Sequence, residues 1–334
     1  MITLETVSIY VVMGLFLFLS VSASNTYGYT RTFLNSNRGG QIEGASSNTT
    51  KCGNAPLLRR PPLYTSTCTL QGARSYQEDE LTVEDDGRFV CVFDGHGGKQ
   101  ISRYLRQNLF ASYQAALSNG SNEDLSTSKV QTAIENALLS VDRQVCKIGQ
   151  WSYTGSTAVV CIISLDSDGE RTIVTANVGD SRAVLCRNGV AVDLSRDHKP
   201  NDEDEMERIE KLGGSVDWCG DVDPVTDDPI LHTGVYRVNS NLALSRAIGD
   251  KSERPFISNE ADISTQLVKS GDSFIVLASD GLFDVMSSQE VVSFVTLNCE
   301  GSSPDAREEA ATRVANEALK RGSNDNISVI ILWL

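Results

Sequence analysis

Histidine is scarce in this sequence, with three in 334 residues, and the eight cysteines lie far apart with no C-x-x-C pair. The spacing leaves almost no room for a cysteine zinc site, and the number leaves little for a histidine one. Cys91, Cys161 and Cys186 stand inside the apolar runs FVCVF, AVVCII and AVLC. A free buried thiol is the ordinary outcome there, so a disulfide scaffold is not expected. Cations are also short: 29 Lys and Arg face 44 Asp and Glu, for a net charge of −15. That balance argues against nucleic acid as a partner, which needs a cationic face. Neither an internal repeat nor a sustained parallel βαβ rhythm is found. What is present, 40% hydrophobic and 22% charged residues, suits a globular chain that buries a sizeable core.

The N-terminus has its own character. No charge falls between Glu5 and Arg31, Val7 to Leu19 is almost wholly apolar, and Val21-Ser22-Ala23 offers small residues for a signal peptidase. Residues 1–23 read as a signal peptide that takes the chain into the secretory pathway, to be secreted. The alternative is an uncleaved signal anchor, because Glu5 precedes the run while Arg31 and Arg38 follow it, which would leave the rest of the chain in the cytosol. The apolar stretch is shorter than the roughly 20 residues a span needs, and a buried helix is the third option. A membrane is a partner only in the anchored case. Residues 24–62, rich in Asn, Ser, Thr and Gly and ending in Arg59-Arg60-Pro61-Pro62, read as a flexible leader or pro-segment.

From residue 63 onward apolar strands alternate with amphipathic helices. Strands are predicted at 89–93, 157–165, 172–178, 182–186, 190–194, 273–278 and 327–334, and helices at 99–117, 128–148, 202–212, 288–298 and 305–320. The pattern fits an antiparallel α+β domain, with sheets in the middle and helices outside, better than a doubly wound one.

Acids gather at the strand ends. Asp94 follows RFVCVF and precedes Gly95-His96-Gly97-Gly98; Asp280-Gly281 follows SFIVLAS, with Asp284 four residues on. Gly179-Asp180 follows TIVTANV, Asp325-Asn326 precedes the last strand, and Glu78-Asp79 lies ahead of the first. Turn chemistry explains any one of these, but the repetition points to convergence. Converging carboxylates cannot all ionise without cations between them, and hard oxygen ligands select Mg²⁺ or Mn²⁺. Two such ions about 3.5–4 Å apart would deprotonate a bridging water for attack on phosphorus.

The stretches GARSYQEDE (72–80), VFDGHGG (92–98), GSTAVV (155–160), NVGDSRAVL (177–185), DHKP (197–200), LALSRAIGD (242–250), ASDGLFDVM (278–286) and NDNISVI (324–330) resemble the metal-dependent protein Ser/Thr phosphatases of the protein phosphatase 2C type. They follow that family's order and spacing over roughly residues 65–334. The resemblance implies a four-layer αββα fold, a central antiparallel β-sandwich flanked by helix pairs, as a catalytic domain over 63–334. It implies a monomer that hydrolyses phosphoserine and phosphothreonine in protein substrates with two Mn²⁺ or Mg²⁺ ions and no phosphoenzyme. Carried over by position, Asp94 would bridge the ions, Asp280 and Asp325 would complete the first, and Glu78 with the Gly95 carbonyl would hold the second. Asp79 would act through water, and Asp180 with Asp284 matches the place of a third, weaker ion. Arg74 falls where the family grips the substrate phosphate, and His96 where it has its proposed general acid. Gln77 replaces a common Asn without touching a metal ligand.

Other residues have plainer readings: His198 and His232 as structural or surface residues, Ser245-Arg246 and Gly249-Asp250 as packing, and 202–210 as a solvated helix face. Residues 216–241 form an acidic insertion in the family's variable flap, which either favours basic phosphopeptides or keeps a long loop solvated. A secreted phosphatase would act in another cell. A pseudophosphatase that binds without turnover is the competing class; it would show a lost metal ligand, and none of Glu78, Asp94, Asp280 or Asp325 is missing.

Overall fold

The computed structural model describes residues 62–118, 126–165, 169–231, 233–299 and 304–334. The signal segment 1–23, the leader up to residue 61 and His232 lie outside them. Two five-stranded antiparallel sheets face each other. In the first the order is Asp262–Leu267, Arg171–Val178, Ala158–Leu165, Phe89–Phe93, Glu80–Glu84. In the second it is Thr65–Leu70, Ile327–Trp333, Asp272–Ala278, Arg182–Arg187, Val190–Asp193.

The twofold alternation of a strand explains the layering. Phe89, Cys91 and Phe93 point out of the first sheet onto the helices Gln100–Ser118 and Thr127–Val145, while Val90 and Val92 point inward. Val329 and Ile331 likewise face the helices Ser288–Asn298 and Ala310–Lys320, while Ile330 and Leu332 meet the inner residues of the first sheet. Three apolar clusters thus separate four layers, helix pair, sheet, sheet, helix pair, as expected for this α+β class. No helix of the described residues is long and apolar enough to cross a membrane.

Several sequence expectations are corrected. The predicted helix 305–320 breaks at Glu309 into Pro304–Glu308 and Ala310–Lys320. The polar-rich edge strands Thr65–Leu70 and Asp262–Leu267 were not foreseen, and Glu78-Asp79 leads into a further strand, Glu80–Glu84. The flap insertion is a hairpin, with Val216–Cys219 paired to Val235–Val238 and Trp218 edge-on to Tyr236.

Helix Glu203–Lys211 is not solvated all round. Glu205 is buried, and its carboxylate accepts from Arg246 Nη2 at 2.5 Å and from Arg208 Nη2 at 2.9 Å, while Arg246 Nη1 reaches Asp262 Oδ1 at 2.9 Å. Burial alone would raise the Glu205 pKa, but Arg246, Ser245 and Arg208 hold it down to about 2. A carboxyl with a depressed folded pKa stabilises fully above its ordinary value of 4.5 and loses that contribution as pH falls toward 2. Glu205→Gln, which leaves the buried Arg246 and the half-buried Arg208 undercompensated, should therefore lower the unfolding free energy at pH 7 by about 3–5 kcal/mol. Urea unfolding checks it: the gap between wild type and variant should narrow as pH falls below 4.5, and a pH-independent gap would refute the ionic origin.

Candidate active site

Each sheet delivers two acids to the same end of the sandwich. Glu78 precedes the strand Glu80–Glu84, and Asp94 follows Phe89–Phe93. From the second sheet, Asp280 follows Asp272–Ala278 and opens a short helix, while Asp325 precedes Ile327–Trp333. Asp180 sits in the turn that carries the chain from one sheet to the other, between Arg171–Val178 and Arg182–Arg187. These side chains, with Arg74, Gly95 and His96, line one cavity of about 270 Å³. Two predicted residues do not line it. Asp79 is buried and accepts from Ser279 Oγ at 3.0 Å, and Asp284 is exposed one helical turn beyond Asp280.

Backbone clamps hold the acids in register. The Asp94 N–H donates to Thr157 Oγ1 at 3.0 Å, and that hydroxyl pairs with Ser181 Oγ at 2.7 Å. Asn326 bolts the Glu78 loop down: its Oδ1 accepts from the Glu78 N–H at 2.9 Å, and its Nδ2 donates to the Gln71 and Tyr76 carbonyls. A Cβ on Gly281 would sit 2.0 Å from the Asn326 carbonyl oxygen. Glycine after Asp280 is therefore a steric requirement for bringing that acid beside Asp325.

Two of the cavity's acids favour protonation. Burial raises Asp94 well above the usual carboxylate range, reinforced by Asp79, Asp280, Asp180 and Asp325. Asp280 is raised likewise, by burial and then by Asp180 and Asp284. Asp79 is pushed up to about 7, chiefly by burial, and its Oδ1 is buried without a hydrogen-bond partner among the described residues.

Protein cations answer part of this charge. Arg74 Nη2 meets Asp325 Oδ2 at 2.5 Å, and Lys199 Nζ meets Asp180 Oδ2 at 2.6 Å. Burial works against the Lys199 charge, but Asp180 and Asp280 hold it protonated well above the ordinary lysine value. Among the described residues, no three His, Cys, Asp or Glu groups form a ready-made shell around one ion. The donor set nevertheless fits hard divalent cations: it is all oxygen, its buried Asp94 and Asp280 resist ionising uncompensated, and behind it Asp79 keeps a buried carboxylate oxygen without a hydrogen-bond partner among the described residues. Glu78, Asp94, Gly95, Asp280 and Asp325 would hold the ions.

His96 has a partner that the sequence does not reveal. Its Nε2 lies 2.6 Å from Oδ2 of Asp250, whose side chain is 2% exposed. A miniature sheet makes the pair: His96 and Gly249 both lie opposite Gly155, one on each side. A Cβ on Gly155 would stand 2.0 Å from Asp250 Oδ2 and 2.4 Å from His96 Nε2, so only glycine admits the contact. Burial disfavours the charged ring, but the hydrogen bond and charge of Asp250, then Asp180 and Glu78, set its pKa above the usual histidine value. Asp250 thus belongs to the site and is not mere packing, whereas Arg246 is structural as expected.

His198 is structural too: it is fully buried, and its Nδ1 accepts from the Gly179 N–H at 3.0 Å. Lys199, Asn326 and Arg237, whose side chain reaches the cavity from the flap, were also missed. Of these, only the adjacency of Lys199 to His198 and of Asn326 to Asp325 within recognised stretches could have flagged them.

The protein phosphatase 2C family model matches residues 65–327. An Arabidopsis thaliana relative described as probable protein phosphatase 2C 59 is 38% identical over 269 residues, covering 78% of this chain and 76% of its own length. Probable protein phosphatase 2C 45 of Oryza sativa subsp. japonica is 35% identical over 268 residues, covering 78% and 84%. Among solved structures, a C. elegans sex determining protein superposes with a TM-score of 0.71 at 29% identity over 82% of this chain and 65% of its own. A serine-threonine phosphatase 2C from Toxoplasma gondii gives 0.63 at 23% identity over 82% and 97%, a likeness of fold.

Proposed function

The chain belongs to the protein phosphatase 2C family, metal-dependent protein-serine/threonine phosphatases, and from that premise we propose that its carboxylate cavity hydrolyses phosphoserine and phosphothreonine without a phosphoenzyme. The observation that carries this is the meeting of Glu78, Asp94, Asp280 and Asp325, from four separate segments, in one cavity with Arg74 and the His96–Asp250 pair. A pair of Mg²⁺ or Mn²⁺ ions bound by these acids would supply an activated water and neutralise charge on the phosphoryl group. The chain's own residues do the rest. Arg74 keeps most of its five-donor fork free of Asp325 and can present it to the phosphate oxygens. Asp250 engages Nε2 of His96 and leaves Nδ1 as the nitrogen that can give a proton to the departing serine or threonine oxygen. A binding-only pseudophosphatase would call for a lost ligand, and all four carboxylates line the cavity.

Steady-state hydrolysis of a phosphothreonine peptide tests this. Wild type should turn over, and Arg74→Ala should raise KM about 10- to 150-fold, the equivalent of 1.5–3 kcal/mol for one charge-assisted contact, with kcat little changed. An unchanged KM together with unchanged inhibition by inorganic phosphate would remove Arg74 from phosphate binding.

A further inference from the structure

A groove adjoins the catalytic cavity at Glu78 and Gly97. A depression of about 420 Å³ shares Glu78 and Gly97 with the cavity and continues along Tyr76, Lys99 and Gln100. It runs on into a second depression of about 300 Å³, which shares Lys99 and Gln100 and adds Arg103, Tyr104 and Trp151.

The walls are fixed, but Tyr76, Lys99 and Arg103 keep exposed side chains. Tyr76 is 73% exposed although its carbonyl is pinned by Asn326. Trp151 stands edge-on to Tyr104 at 6.0 Å, and the Tyr104 hydroxyl donates to Gln144 at 2.7 Å. Lys99 is exposed and takes part in no ion pair among the described residues. Arg103 is 53% exposed and only 3.7 Å from Glu80, whose other oxygen is taken by Arg106 at 2.6 Å. In a protein of net charge −15, two loosely held cations beside aromatic rings, in a trough that opens on the reacting centre, form a local reversal of sign.

We propose that this trough docks the substrate polypeptide beside its phosphorylated residue and selects segments that carry acidic side chains together with an apolar or aromatic one. The acid would meet Lys99 and Arg103, and the apolar side chain would lie on Tyr76 or Trp151. This specificity rests on the phosphatase reading, because it is continuity with the catalytic cavity that makes the occupant a substrate.

The test uses fluorescein-labelled phosphothreonine peptides of equal length whose flanks are acidic with one Leu, neutral, or basic. Each is measured by anisotropy and by kcat/KM against wild type and the Lys99→Glu/Arg103→Glu double variant, with thermal unfolding as the check on fold. Wild type should prefer the acidic peptide over the neutral one about three- to tenfold, the scale of two exposed ion pairs. The double variant, melting at the same temperature, should lose that preference in both readouts and turn toward the basic peptide. Equal use of acidic and neutral peptides by wild type, or a preference that survives in the double variant, overturns the proposal. If wild type binds the acidic peptide selectively, the variant does not, and neither hydrolyses it, the trough stands and the phosphatase reading falls.

Discussion

Asp94→Asn should lower kcat on a phosphothreonine peptide by on the order of 10³-fold or more, because removing the carboxylate expected to bridge both ions forfeits several kcal/mol of stabilisation. The fold should not suffer. Asp94 is held well above the usual carboxylate range by burial and by Asp79, Asp280, Asp180 and Asp325, so an uncharged amide relieves repulsion. Its main tether, from the backbone N–H to Thr157, does not involve the side chain. In chelator, the variant should melt no lower than wild type. A variant that melts well below wild type would show that the side chain is structural, and one that keeps wild-type kcat would show that it is not at the reacting centre.

The second large effect is selective. His96→Ala should depress kcat on phosphoserine peptides about 10²–10⁴-fold, the usual contribution of a positioned general acid. It should depress p-nitrophenyl phosphate hydrolysis far less, since a phenolate leaves without needing a proton while a serine alkoxide does not. Asp250→Asn should move both substrates in the same sense by a smaller amount, about tenfold on the peptide, as one hydrogen bond to a charged ring is weakened. Gly155→Ala, whose Cβ would intrude on both partners, should resemble His96→Ala. If His96→Ala costs both substrates the same factor, the ring organises the carboxylates and is not the proton donor.

How much of this was legible depended on burial. Phe89–Phe93 is buried at every residue, so its apolar run announced a central strand. Thr65–Leu70 and Asp262–Leu267 pair with a strand on one side only and keep half-exposed polar residues, a pattern that a sequence cannot separate from a loop. Of the four cavity acids, Asp94, Asp280 and Asp325 were readable because each abuts an apolar strand, and Glu78 because it stands in a recognised stretch. Asp250 was not, because its partner His96 lies 154 positions away and the two meet only across Gly155. Glu205 was hidden in a run of charges that looked solvated, since its burial depends on Arg246 from a distant loop.

The most direct measurement is phosphate release from a phosphothreonine peptide by exhaustively chelated protein, followed through a Mn²⁺ titration with wild type and Asp94→Asn side by side. Wild type should be silent without added metal and recover saturably as Mn²⁺ is restored, while Asp94→Asn stays silent at every concentration. Full wild-type turnover in the presence of chelator would contradict a mechanism built on these carboxylates.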